Sequence, residues 1–150
     1  MDESLSRRDV LFAAGLAAGA VTVGLPLLHA TDPAPKTGKL KIVVAGAHPD
    51  DPESACGGTM ARYADLGHEV VALYLTRGEA GMKGKTHQEA ATIRSAEAEK
   101  ACEILKARAV FASQIDGSTE INAARYDDFR KLLDAEKPDL VFTHWPVDTH

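Results

Sequence analysis

The sequence predicts an α/β fold: a Rossmann-like, mostly parallel sheet with helices on both faces. Three observations carry that expectation. Short apolar, β-branched runs recur through the chain, beginning with "LKIVVAGA" at 40–47. Stretches with apolar residues at helical spacing separate them, at the interval of βαβ units. No internal repeat or low-complexity segment suggests another architecture.

Each element has its own local reason. The first run, 40–47, suits a strand buried in a parallel sheet. Gly57 and Gly58 are expected to open a short helix, "TMARYADLG", which Gly67 ends. "HEVVALYLT", 68–76, reads as the second strand, and the Gly-rich "RGEAGMKGKTH" as a loop. The longest helix is expected from about Gln88 to Leu105, with Ile93, Ala101, Ile104 and Leu105 on its apolar face. "ARAVFAS", 107–113, is the third strand, and a helix from about Ala123 to Leu133 follows. "KPDLVFTHW" supplies a fourth strand from Pro138. In such a sheet the ligand crevice lies outside the carboxyl ends of the strands, which is where His48 and His144 fall.

At 150 residues there is room for one domain with a core that needs no staples. Charged residues make up 26% and apolar ones 45%, an ordinary globular balance. The net charge of −5, with no long basic run, gives nucleic-acid binding little electrostatic support. Cys56 and Cys102 lack zinc-ribbon spacing. One bridge between them stays open, and two separate buried thiols are the expectation.

The first residues are of another kind. Arg7 and Arg8 precede an apolar, Gly- and Ala-rich stretch from Val10 to Leu28. This layout resembles a bacterial export signal of the twin-arginine type, with cleavage after Ala30. The organisation expected is therefore a signal at 1–30, a linker at 31–38 and the folded domain at 39–150. Export would deliver the protein, folded with any cofactor bound, to the periplasm or the exterior. The same 10–28 stretch could just span a bilayer. Its glycines and alanines weaken that reading, and membrane attachment is expected only through an uncleaved signal.

The chemistry concentrates in "KIVVAGAHPDDPESACGG", 41–58. A dinucleotide site would place phosphate-cradling glycines after the first strand; here Gly46 is followed by Ala47, His48, Pro49 and Asp50. That disfavours a nucleotide-binding domain. Imidazole and carboxylate groups instead suit a divalent cation. His48 and Asp51, three apart on a tight turn, can face one point, leaving Asp50 free to act as a base. An aspartate N-cap beside a buried histidine accounts for the same residues from their pattern alone.

"AHPDDPE" (47–53) resembles the signature of the LmbE-like, or PIG-L, zinc-dependent N-deacetylases. "LYLTRGEAG" (73–81), "IRSAEAEKACEIL" (93–105) and "THWPVDTH" (143–150) are similar to that family's later blocks, in the same order. The resemblance implies the LmbE-like deacetylase fold. It makes His48 and Asp51 zinc ligands, Asp50 the general base, and Arg94 a substrate-binding residue, although from its own helix Arg94 reads equally as a surface arginine paired with Glu97 or Glu99. His150 aligns with the first histidine of the family's His-x-x-His pair, which polarises the carbonyl. The second histidine, the third ligand, falls just beyond residue 150. His144 is a weak substitute for it, and the chain is expected to be the N-terminal portion of a longer protein.

The function so implied is hydrolysis of an N-acetyl or other N-acyl group from an amino sugar or related small molecule. Zn2+ is the expected cofactor, although His and Asp ligands do not by themselves select zinc over iron or another divalent ion. A homo-oligomer is among the family's habits. A non-catalytic carbohydrate- or small-molecule-binding module on a decayed version of the fold is the alternative. Bland roles are expected for His68 at a strand start, His87 at a helix start, Cys56 as a packed thiol and Trp145, since one aromatic makes no sugar platform.

Overall fold

The computed structural model describes residues 38–145 and 147. The expected signal, nearly all of the linker, and His150 lie outside the described residues. Seven elements follow in order: β1 (Lys41–Gly46), α1 (Asp51–Asp65), β2 (Glu69–Tyr74), α2 (His87–Leu105), β3 (Arg108–Phe111), α3 (Ala123–Glu136) and β4 (Leu140–Phe142). The four strands form one sheet in the order β3-β2-β1-β4. Every pairing is parallel.

Alternation along β1 and β2 divides the core, because successive strand side chains point to opposite faces. Ile42, Val44, Val70, Ala72 and Tyr74 pack on one face with Met60 of α1 and Ala98 and Cys102 of α2. Val43, Ala45, Val71 and Leu73 pack on the other with Phe129, Leu132 and Leu133 of α3. Five of the six residues in each of β1 and β2 are buried, as both faces are covered. The expected doubly wound α/β architecture is what the chain adopts.

Strand order reverses beside β1, whose neighbours are β2 and β4. A crevice opens at such a switch point, outside the carboxyl ends of the strands. Three hydrogen bonds hold that edge between β1 and β2. The Leu75 amide donates to the Gly46 carbonyl at 2.9 Å and the Thr76 amide to the Ala47 carbonyl at 2.9 Å. The buried Thr76 hydroxyl donates to the same Ala47 carbonyl, also at 2.9 Å.

Several expectations are corrected. The first helix starts at Asp51, ahead of Gly57 and Gly58, because Pro52 in the first turn is pre-set for helix and Asp51 and Glu53 complement its positive end. The glycine pair sits inside the helix, where a Cβ at either position would meet nothing within 4 Å. The fully buried stripe of α2 is Ala90, Ala91, Ala98 and Cys102; of the expected face Leu105 packs partly buried against that core, while Ile104 is 75% exposed. Small residues let that helix lie close to the sheet, and chain geometry outweighed side-chain size. The strands are shorter than the apolar runs, and α3 runs on to Glu136.

Other expectations stand. A capping box between Thr86 and Glu89 starts α2 immediately before His87. His68 is structural: its Nδ1 accepts from the Leu40 amide at 3.2 Å and its ring packs 5.6 Å from Tyr63. Both cysteines are free thiols, Cys102 buried and Cys56 partly so.

Candidate active site and metal centre

The turn between β1 and α1 is folded by its own aspartate. Asp51 Oδ2 accepts hydrogen bonds from the amides of Ala47 (2.9 Å) and His48 (2.8 Å), closing the loop on itself. The chain can turn this sharply because residue 46 is glycine: a Cβ there would lie 2.6 Å from Asp51 Cβ and 2.8 Å from Pro52 Cδ. Gly46 thus brings the helix start against the strand end and fixes where Asp51 stands.

Asp50 occupies the N-cap position of α1 but makes no side-chain cap. The capping account of this residue therefore fails. Its backbone is left-handed, with φ 109° and ψ −26°, a conformation that costs a non-glycine residue on the order of 1–3 kcal/mol. Its carboxylate is 65% exposed and turned away from Asp51, toward α2. There Arg94 Nη2 donates to Asp50 Oδ2 at 2.9 Å and also to the Pro49 carbonyl. Arg94 reaches the turn because it lies on the buried stripe of α2, four residues after Ala90 and four before Ala98.

His48 stands between two carboxylates. Nε2 lies 3.1 Å from Asp116 Oδ1, and Nδ1 3.6 Å from Asp51 Oδ2. His144, just past β4, places Nε2 3.5 Å from the same Asp51 oxygen. Tetrahedral zinc with bonds of ~2.0–2.1 Å sets adjacent ligand atoms roughly 3.3–3.5 Å apart. Both histidine–Asp51 spacings are close to that edge. With Nε2–H donated to Asp116, the Nδ1 lone pair faces Asp51, the carboxylate–histidine arrangement that orients metal-bound imidazoles. The donor set fits a divalent cation. Among the described residues, however, no three His, Cys, Asp or Glu side chains close into a full ligand set.

Asp116 is the residue that sequence reasoning missed. It follows β3 as the first residue of an Asp-Gly turn, on the same sheet edge as His48 and His144, and the strand-end argument applied to them extends to it. Its Oδ2 accepts from the Ala80 amide at 3.1 Å, while its own amide donates to Glu79 Oε2 at 3.0 Å. Glu79 Oε2 also accepts from the Arg77 amide at 3.1 Å. The "TRGEAG" segment and the loop after β3 thereby hold each other, and hold His48 through Asp116.

Beneath the site, the buried Tyr74 hydroxyl donates to Glu53 Oε1 and lies 3.6 Å from Cys102 Sγ. Burial pushes the Tyr74 hydroxyl well above its ordinary range and raises the Cys102 thiol, so both stay protonated at neutral pH. Beside His144, a cavity of about 280 Å³ opens at the switch point, its wall including Ala47, Gln114, Tyr126 and Thr143. Trp145 is 77% exposed. No helix among the described residues is long and apolar enough to cross a membrane.

This architecture has known counterparts. Over 41 residues (27% of this chain and 11% of the relative) the sequence is 54% identical to the 1D-myo-inositol 2-acetamido-2-deoxy-alpha-D-glucopyranoside deacetylase of Kineococcus radiotolerans. The N,N'-diacetylchitobiose deacetylase of Pyrococcus horikoshii matches with a TM-score of 0.69 at 24% identity, over 99% of this chain and 55% of that one. GalB, the 4-carboxy-2-hydroxymuconate hydratase of Pseudomonas putida KT2440, matches with a TM-score of 0.67 at 24% identity, over 74% and 49%. At such identity both show the fold alone, and the chain spans about half the length of each. Residues 43–150, which carry the whole of the site just described, match the model of the GlcNAc-PI de-N-acetylase family, and the chain belongs to that PIG-L family.

Proposed function

We propose that this chain carries the catalytic turn of an exported, zinc-dependent N-deacetylase acting on an N-acetylated amino sugar or a related small molecule. One observation carries the reading: Asp50 is held exposed in a strained backbone without capping its helix, directly beside the paired donors His48 and Asp51. A turn built only to start a helix has no use for that arrangement. Family membership and the deacetylase names among the relatives support the reaction class. Arg7, Arg8 and the apolar stretch after them support export.

In this reading His48 and Asp51 hold the metal, with His144 or a histidine beyond residue 150 as third ligand. When bound there, zinc supplies a Lewis acid for the amide carbonyl and acidifies a water. The chain's own groups do the rest. Asp50, exposed at the turn, accepts the proton of the attacking water and returns it to the departing amine. His150 donates to the oxyanion of the tetrahedral intermediate. The amide C–N bond breaks, the carbonyl carbon leaves as acetate, and the amine is freed. The apolar cavity beside His144 receives the sugar.

The test is metal content per chain by elemental analysis, on the gene product carried to its natural stop codon, followed by acetate release from N-acetylglucosaminyl substrates. Near-stoichiometric zinc that disappears in the His48→Ala, Asp51→Ala double variant supports the reading. So does deacetylation that disappears in Asp50→Asn. Protein that stays empty when zinc is supplied would instead support the non-catalytic binding module.

A further inference from the structure

We infer that Gln114 is a positioning residue: its side-chain amide closes the loop after β3 into a ring and so sets Asp116 against His48. The inference rests on the reading of His48 as a metal-holding residue.

The loop has little else to fix it. From Ser113 to Glu120 only Gln114 and Asp116 are partly buried, and the other residues are exposed. Its one large apolar side chain, Ile115, is 51% exposed, and Ile121 just beyond is 84% exposed. Apolar packing therefore leaves the segment loose, and hydrogen bonds have to order it. Gln114 supplies the closure. Its Nε2 donates to the Glu120 carbonyl at 2.9 Å, and its Oε1 accepts from the Glu120 amide at 3.1 Å. One side chain thus satisfies both main-chain groups of a residue further along, as a neighbouring strand would. Inside the ring the Ser118 amide donates to the Ile115 carbonyl at 3.0 Å, and Gly117 has φ 76°, as the third position of a tight turn can require.

The ring faces two ways. At its tip Asp116 meets His48 Nε2 and the Ala80 amide, each at 3.1 Å. At its base the Glu120 carboxylate accepts from Asn122 Nδ2 and Arg125 Nε, each at 3.2 Å. Asn122 in turn caps α3 by accepting from the Arg125 amide at 3.0 Å. Gln114 thereby joins the end of β3 to the start of α3 and gives Asp116 a fixed footing. Gln114 also borders two cavities, the one beside His144 and a second of about 330 Å³ whose wall includes Arg77, Glu79 and His87. Both polar atoms of its amide are engaged by Glu120, which points to positioning and not to ligand binding in either space.

Gln114→Met keeps the length and bulk of the side chain and removes both hydrogen bonds. In the full-length gene product, zinc affinity measured by competition with a chelator should fall about tenfold in this variant. That is the low end of what losing an outer partner of a metal-bound histidine costs. Gln114→Ala should lose as much, because the bonds and not the bulk carry the effect. Adding Gln114→Met to Asp116→Ala should lower affinity no further, since residue 114 acts through Asp116. Wild-type affinity in Gln114→Met would overturn the clamp, above all with a loss confined to Gln114→Ala, the pattern of a space-filling wall. Full additivity with Asp116→Ala would overturn it as well.

A second measurement needs no metal. The Ala80 amide is bonded to Asp116 and not to residue 114, so its hydrogen exchange reports where the loop places that carboxylate. Exchange at Ala80 should quicken roughly tenfold in Gln114→Met, the scale of one to two neutral hydrogen bonds lost from a locally opening segment. Unchanged exchange there overturns the clamp. If the wild-type protein takes up no zinc, the metal reading fails while exchange at Ala80 still decides the clamp.

Discussion

Replacing Tyr74 by Phe removes one oxygen from a fully buried ring and leaves its volume nearly intact. The lost hydroxyl is the donor to Glu53 Oε1. The other carboxylate oxygen, Oε2, is already buried with no hydrogen-bond partner. Tyr74→Phe therefore strands a carboxylate with neither oxygen satisfied by the protein. A hydrogen bond to a charged group contributes ~1.5–3 kcal/mol, and the stranded partner keeps the full desolvation cost, so a loss of roughly 2–3 kcal/mol is expected. The ring packing is retained, because Phe111 stacks on residue 74 at 5.1 Å by its faces. The assay is urea denaturation of wild type, Tyr74→Phe, Glu53→Met and the double variant. Replacing both partners by apolar groups of similar shape can be nearly neutral, so the double variant should regain most of what Tyr74→Phe loses. A Tyr74→Phe protein within about 0.5 kcal/mol of wild type, the scatter of inert substitutions, would refute this account of the network.

Two further outcomes follow from the site and from the opposite edge of the sheet. Gly46→Ala forces a Cβ into Asp51 and Pro52, which should cost about 1–3 kcal/mol as overpacking and, by moving Asp51, lower zinc occupancy in the same preparation; an unchanged zinc content would separate Gly46 from the site. Glu136 is held below its ordinary carboxylate range by the hydrogen bond from Arg108, and Lys41 lies 3.5 Å away. A depressed folded-state value means that its contribution is present above the unfolded value of about 4.3 and fades as pH falls through the folded one. The stability difference between wild type and Glu136→Gln, measured by urea unfolding, should thus be largest at neutral pH and vanish in acid. A difference that persists at the lowest pH would contradict it.

Much of the molecule is legible in the chain. The β-branched run at 40–47 can be buried on both faces only in a covered parallel sheet, and the strand-end rule then puts His48 and His144 on one edge. Boundaries were less legible where two local signals compete. Gly57 and Gly58 look like a helix start, yet Pro52 and the acidic first turn begin α1 earlier, and the glycines ride on a face with room to spare. In α2 the large residues suggested one stripe and the sheet selected the small ones, because close approach of a helix to strands depends on what is absent from the side chain.

By itself the sequence determined the parallel α/β fold, the position of the turn on its functional edge and the residue types that suit a metal. These follow from periodicity and from chemistry within a few residues of one another. The tertiary structure decided what those residues touch. It took Asp50 off the helix cap and gave it to Arg94, placed Asp116 behind His48, and set Gly78 beneath the arginine. Those partners come from separate strands, helices and loops that meet only when the sheet closes. Their contacts depend on register and close approach, which no local pattern encodes.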